Sequence, residues 1–411
     1  MGIQKVKVEI AWGKEAELVG ELVRQGRYIY FKYANSFLEK GHSLSPIKLP
    51  FNREIHQGHP PLFDGLFGVF NDSLPDGWGR LLLDRALAAK GQTPYDLTPL
   101  DRLSYVGTKG AGALTYHPVF DDEPPELPDF SLDLLAQEAT QVLEGESGNL
   151  IDELYRIGGS SGGARPKVNV GYNPKADRLV QGVDFLPDGY EHWLIKFPSK
   201  YDRLDIAHTE YAYYLMALAA DVEMMPCRLF EGYSGRRYFG TQRFDRVGNK
   251  RLHLHSASGL MHDEFQHSQM DYGHLMDASF QLERKMEACE KVFRLAAFNI
   301  LSHNQDDHSK NFAFLMDRAG KWRFAPAYDL TFSSTAYGMH STMTAGEYKA
   351  PSRKQLLQLA ETFGIRKAAS IIEEVKEAIK LWPDFAVEAK VSRQSTQIIQ
   401  EALVKIREGG F

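Results

Sequence analysis

The chain has 411 residues, 43% hydrophobic and 25% charged, with 48 Lys+Arg against 54 Asp+Glu for a formal net charge of -6. That length suits two or three units of ordinary size, and the composition excludes disordered and fibrous classes. The acidic balance argues against a chain that grips DNA unaided, since such chains show a basic excess or a basic face.

Residues 3–10, IQKVKVEI, alternate as a strand does, and residues 27–33 are a second strand candidate, with Gly20 and Gly26 as punctuation between them. Within residues 62–90 the period changes. Leu81, Leu82, Arg85, Ala86 and Ala89 fall at helical spacing, and Pro75, Gly77 and Gly79 make a tight turn just before them. Residues 118–130, PVFDDEPPELPDF, carry four prolines and read as a linker or exposed loop. An N-terminal subdomain of short strands is therefore expected over 1–120.

Strand-like pieces return at 154–157, 167–172, 190–197 and 237–244, with a helix over 207–220, so a small mixed α/β lobe is expected over 130–245. From residue 284 the pattern is mainly helical. Val292, Leu295, Ala296 and Asn299 share a face, and further helices are expected at 352–363, 367–381 and 393–408, giving a helical lobe over 246–411. Cys227 and Cys289 read as small buried hydrophobes, too few for a disulfide framework or a zinc knuckle. The N-terminus lacks the apolar run of a signal peptide, and no stretch approaches 18 apolar residues; a cytoplasmic, membrane-free protein is the expectation.

Residues 158–163, GGSSGG, can present successive backbone N–H groups to an anion because glycine has no side chain to block approach. The segment is neither a Walker P-loop nor a dinucleotide fingerprint; the readings left are a nucleotide-covering loop and a plain surface loop. Lys196, in EHWLIKFP, shares a strand face with His192 and Leu194, pointing either to solvent or into a cleft where it holds phosphates. Glu210 either pairs with it or favours its own helix N-terminus.

Residues 303–314, HNQDDHSKNFAF, hold the sharpest pattern. Asp306 and Asn311 are five apart with Lys310 between them, which suits a base that orients a hydroxyl, a cation near spread phosphoryl charge, and a magnesium ligand. Asp329, in the apolar stretch FAPAYDLTFS, needs a cation or a hydrogen-bond network and is a natural second magnesium ligand. A polar loop is one alternative. A hydrolytic metal site is another, poorly served by His303 and His308 at their five-residue spacing.

Taken together, GGSSGGARPK, WLIK, FDR, HNQDDHSKNFAF and YDLTFS resemble the HipA family of serine/threonine kinases, toxins of type II toxin–antitoxin modules. The resemblance spans nearly the whole chain, FNDSLPDGWGR included. It implies an α+β, bilobal protein-kinase-like fold: a small α/β N-terminal lobe, a mainly helical C-terminal lobe and an added strand-rich N-terminal subdomain. It implies ATP and Mg2+ as cofactors, Asp306 as the catalytic aspartate, Asn311 and Asp329 as magnesium ligands, and Lys196 as the ATP-phosphate lysine. Lys310 and His308 fall in the catalytic loop, Gln242 and Phe244 in the segment lining the adenine pocket, and Gly162 and Gly163 in the ATP-covering loop.

Ser160, with adjacent Ser161 as the other candidate, matches the family's inactivating autophosphorylation site, where a phosphoserine would add charge and displace the loop. The implied partners are a small helix-turn-helix antitoxin, to which DNA contact is delegated, and a protein substrate of the aminoacyl-tRNA synthetase class. Ordinary kinase markers H-R-D, D-F-G and A-P-E are absent. The alternative function is an ATP-dependent kinase of a small molecule or lipid with the same magnesium-dependent site.

Overall fold

Val6, Val8 and Ile10 alternate with Lys5, Lys7 and Glu9 along the first strand, and only the apolar set is fully buried. The structure, a computed structural model, describes residues 2–120, 131–145, 150–159, 162–200, 202–335 and 337–411. Strands β1 (Lys5–Ala11), β2 (Ala16–Gln25), β3 (Tyr28–Tyr33), β4 (His56–Gln57) and β5 (Leu114–His117) form an antiparallel sheet in the order β4-β3-β2-β1-β5. Strand β2 continues past Gly20, which the sequence suggested as a break, with a shift of register against β1 between Val8 and Glu9. A Cβ there would lie 2.3 Å from the Lys32 carbonyl oxygen on β3, so this glycine permits close approach inside the sheet.

The second sheet contains β6 (Lys167–Asn173), β7 (Arg178–Gln181), β8 (Glu191–Lys196), β9 (Cys227–Glu231) and β10 (Arg237–Gln242), ordered β7-β6-β8-β10-β9 and antiparallel throughout. Val168, Trp193, Ile195 and Phe197 meet Leu135, Leu154 and Ile157 of the helices Leu132–Glu144 and Ile151–Gly158 in one core. The helix Gly77–Ala89 adds Trp78 and Leu82 to that core, so this helix serves the second sheet. Residues 154–157, expected as a strand, lie in the helix Ile151–Gly158. Four residues carry too little period to separate the two readings, and Leu154 and Ile157 sit one helical turn apart, both buried.

After the short hairpin β11 (Arg246–Val247) and β12 (Lys250–Arg251), a third sheet forms from β13 (His253–Ser256), β14 (Ala313–Met316) and β15 (Trp322–Phe324). Around it lie the helices Tyr272–Glu283, Met286–Leu301, Arg353–Phe363, Ala368–Lys380, Trp382–Glu388 and Arg393–Gly410. The helix Met286–Leu301 buries Val292, Phe293, Ala296, Phe298 and Ile300, so it runs through the core of this lobe. The architecture is bilobal α+β with an added strand-rich subdomain. Among the described residues no helix is long and apolar enough to cross a membrane.

The N-terminal subdomain docks on the helical lobe through a buried polar hub. Asp72 accepts hydrogen bonds from Ser256 N–H at 2.7 Å, Ser256 Oγ at 2.5 Å and His255 Nδ1 at 2.6 Å, and Ser45 Oγ lies 2.9 Å from His255 Nε2. This chain of Asp, His and Ser has the connectivity of a hydrolytic triad. Ser45 is 1% exposed and His255 0%, so no substrate reaches it and its role is docking.

Candidate active site

The loop 302–312 joins the helix Met286–Leu301 to β14, and a relay of buried side chains fixes it. Tyr272 Oη donates to Asp307 at 2.8 Å, Asn299 Nδ2 to Tyr272 Oη at 2.8 Å, Asn304 Nδ2 to Asn299 Oδ1 at 3.0 Å, and Ser333 Oγ to Asn304 Oδ1 at 2.8 Å. The Asp306 N–H then donates to Ser333 Oγ at 3.1 Å. Each link satisfies a polar group that would be costly to bury alone.

Two adjacent aspartates take opposite parts. Asp307 is 1% exposed and also accepts from the Ser341 N–H at 2.8 Å and from His340 Nδ1 at 3.0 Å; it holds the loop together. The Asp306 carboxyl faces outward, with a side chain 61% exposed and His308 Nε2 3.9 Å away. Desolvation by the surrounding protein raises its pKa, and the carboxylates of Asp329 and Asp307 add to that rise while His308 opposes it. Asn311 Nδ2 donates to the Asp306 carbonyl at 2.7 Å, so its amide nitrogen is engaged within the loop.

Asp329 follows β15 and sits in the left-handed region at φ 57°. Aspartate tolerates that region better than most residues, and such conformations concentrate at functional sites. Tyr328 fixes the turn: its hydroxyl donates to the Lys310 carbonyl at 2.6 Å, and its ring packs on Phe244 with centroids 5.1 Å apart. The Asp329 carboxylate pairs with Lys196 Nζ at the end of β8. Lys196 also meets Glu210 at 3.2 Å, and Glu210 takes Arg165 at 2.5 Å, which in turn meets Asp202 at 3.0 Å. The Lys196 ammonium, with burial against it and Lys167 and Arg165 behind it, holds Asp329 far below the ordinary carboxylate range. Burial works against the Lys196 charge too, but Asp329 and Glu210 outweigh it and its pKa is raised.

Gly162 and Gly163 connect to this cluster through Lys167 and Asp76. Lys167 Nζ donates to the Gly162 carbonyl at 2.5 Å, and burial lowers the Lys167 pKa to about 8. Gly163 N–H donates to Asp76, which also pairs with Lys310 Nζ at 2.5 Å. The Lys310 ammonium lies over the Phe265 ring at 4.8 Å. Asp306, His308, Lys310, Asn311, Asp329, Lys196, Gly162 and Gly163 thus belong to one linked neighbourhood. Phe244 borders it through Tyr328. Gln242 closes β10, its N–H donating to the Pro226 carbonyl at 2.9 Å. Ser160 and Ser161 lie outside the described residues.

Sequence reasoning overlooked Asp76, Arg165 and Asp202. Asp76 lies within the turn of Pro75, Gly77 and Gly79, and its side chain makes no cap bond to the helix but reaches across to the loop. Cavities of about 360 and 430 Å3, lined by residues such as Met261, His274 and Phe363, share no residue with this cluster. Among the described residues, no group of three or more His, Cys, Asp or Glu is placed to hold a metal. Asn311 and Asp329 offer one amide and one carboxylate oxygen, and the mutual repulsion of Asp306 and Asp329 is what a cation would relieve.

Residues 159–382 match the HipA-like C-terminal domain family, and residues 11–117 match the HipA N-terminal domain family. The chain belongs to the HipA-like family. No curated protein matches it. Among solved structures, a chain of the Shewanella oneidensis MR-1 toxin–antitoxin complex of HipA, HipB and operator DNA is 17% identical. The match covers 97% of this chain and 95% of that one, with a TM-score of 0.64, and shows the fold. The Helicobacter pylori proinflammatory kinase CtkA is 14% identical over 55% of this chain and 88% of its own, with a TM-score of 0.38, too low to support an inference. In this HipA-like chain the site straddles both matched segments: Asp76 comes from the N-terminal one, and Gly163, Lys196, Lys310 and Asp329 from the C-terminal one.

Proposed function

We propose that this HipA-like chain is an ATP- and Mg2+-dependent serine/threonine protein kinase and the toxin of a toxin–antitoxin module. The observation that carries the reading is the pairing of Lys196 with Asp329 beside a loop that exposes Asp306 and ties the Asn311 amide to the Asp306 carbonyl. Phosphoryl transfer asks a protein mainly for positioning and charge, and these side chains supply both.

Asp306 orients the acceptor hydroxyl and takes its proton at the carboxylate. Lys196 and Lys310 hold phosphate oxygens, and Glu210 keeps Lys196 in place. Asn311 and Asp329 would hold magnesium, whose part is to offset charge on the phosphates. The glycine-rich loop covers the nucleotide, and Phe244 and Gln242 border the base. Ser160, or Ser161 beside it, is the proposed autophosphorylation switch. The proposed partner is a small helix-turn-helix antitoxin like the HipB that accompanies the Shewanella chain on operator DNA. The proposed acceptor is a protein of the aminoacyl-tRNA synthetase class.

Radiolabelled ATP supplied to purified protein, alone and with cell lysate, tests the reading. Label on lysate proteins, lost in Asp329→Asn, is expected. Label confined to a small metabolite or lipid would move the assignment to that acceptor class. Phosphopeptide mapping of the protein alone assigns Ser160 or Ser161, and absence of label on both sinks the switch.

A further inference from the structure

The N-terminal end of the helix Gly77–Ala89 grips both backbone polar groups of one residue of the glycine-rich loop, Gly163. The Gly163 N–H donates to Asp76 Oδ1, and the Gly163 carbonyl accepts from the Trp78 N–H at 2.9 Å. Gly77 lies between them at φ +39°, and a Cβ there would stand 2.5 Å from the Gly163 oxygen and 2.7 Å from its carbon. Only glycine lets the two backbones meet so closely. One residue further on, Trp78 Nε1 donates to the Lys167 carbonyl at 3.1 Å, so the same turn also holds the strand that leaves the loop.

Asp76 is the hinge of this contact. Its second oxygen takes Lys310 Nζ at 2.5 Å, from the loop that carries Asp306 and Asn311. One carboxylate therefore joins three segments that are far apart in sequence: the N-terminal subdomain, the glycine-rich loop and the loop of the acceptor base. Burial opposes its charge, but Lys310 outweighs that and lowers the Asp76 pKa, with Gly163 N–H and Lys167 adding to the effect. The side chain of Asp76 makes no cap bond to its own helix, so the carboxylate serves these cross-links instead.

We infer that Asp76 is a positioning residue for phosphoryl transfer, setting the distance between the glycine-rich loop and Lys310 so that both act on one set of phosphates. This inference rests on the kinase reading given above. It assigns the N-terminal subdomain a part in catalysis, through Gly77 and Asp76, beyond docking on the helical lobe. A lysine freed from its carboxylate swings on a four-carbon stem, and misplacement by about 1 Å at a transfer site costs on the order of 100-fold in rate.

The test uses the full chain and single-turnover transfer of radiolabel from ATP to any acceptor it labels, with wild type, Asp76→Asn, Asp76→Ala, Lys310→Ala and the Asp76→Ala/Lys310→Ala double variant. Thermal unfolding of each selects folded preparations, and the isosteric Asp76→Asn serves if Asp76→Ala does not fold. A loss of turnover on the order of 100-fold per folded molecule is expected in the Asp76 variants, measured at a temperature below each unfolding transition. The double variant is expected to be no slower than Lys310→Ala, because both changes break one unit. Wild-type turnover in the Asp76 variants, faster turnover, or losses that multiply in the double variant would each overturn the inference while leaving the kinase reading intact. Absence of transfer by the wild-type chain itself would overturn both.

Discussion

Lys196, the last residue of strand β8, and Asp329 after β15 are 133 residues apart in sequence and form a direct ion pair across the lobes. The pair is not isolated: Glu210 takes the same ammonium at 3.2 Å. Replacing Lys196 with Met leaves two carboxylates facing each other in a half-enclosed space. Breaking such a pair costs on the order of 3 kcal/mol, more than a surface bridge would. The Lys196→Met variant should therefore unfold at lower denaturant and transfer no measurable label. Unchanged stability by urea titration would show that the pair is a crossing of solvated chains.

Asp306 behaves oppositely, because its carboxyl is raised rather than lowered. The base must be ionised, so transfer should fall with acid through a pKa above the ordinary aspartate value of about 3.9. The linkage sign also reverses. A carboxyl whose pKa is raised by folding is penalised when charged, so Asp306 costs stability at neutral pH and the cost fades as the group is protonated. Asp306→Asn should raise the unfolding midpoint at pH 7 and lose that advantage toward pH 4. A lowered midpoint at pH 7 would contradict the penalty that desolvation, with the Asp329 and Asp307 carboxylates, places on the charged form.

Lys167 supplies a second pH signature. Its folded pKa of about 8 lies below the unburied lysine value, so between pH 8 and the ordinary range it is neutral when folded and charged when unfolded. The penalty for burying its charge is present below pH 8 and is relieved as pH rises through that window. An incoming phosphate favours the ammonium. Binding of ADP with magnesium at pH 9 should take up a proton, seen as a binding enthalpy that changes with buffer ionisation heat. At pH 6.5 the dependence should vanish, and Lys167→Met should lack it at both values.

The hub of Asp72, His255, Ser256 and Ser45 lies outside the transfer chemistry. Asp72→Ala orphans the His255 and Ser256 donors in a buried contact and should cost roughly 3 kcal/mol. Turnover per folded molecule should hold. A variant that stays fully stable yet loses turnover would assign the hub a catalytic part.

The spacing from Asp306 to Asn311 and the charge of Asp329 were legible in the sequence because their chemistry is local. So were the helix Met286–Leu301 and strand β8, whose periods are long or strongly apolar. What the sequence concealed were contacts between distant segments. Asp76 carried no role in the sequence, and only the fold shows its carboxylate crossing to Gly163 and Lys310. Nothing in the sequence marked Asp307 as an anchor; its burial, against the exposed Asp306 carboxyl, comes from the fold. Strand β2 was hidden by Gly20, and the helix Ile151–Gly158 by the brevity of its apolar pattern.

The most direct test of the central claim is single-turnover transfer from γ-labelled ATP with magnesium, comparing wild type with Asp306→Asn while thermal unfolding confirms that the variant is folded. Transfer by the wild type, reduced by a factor on the order of 100 or more in Asp306→Asn, is the predicted result. Equal transfer by a folded Asp306→Asn protein would contradict the assignment of Asp306 as the base.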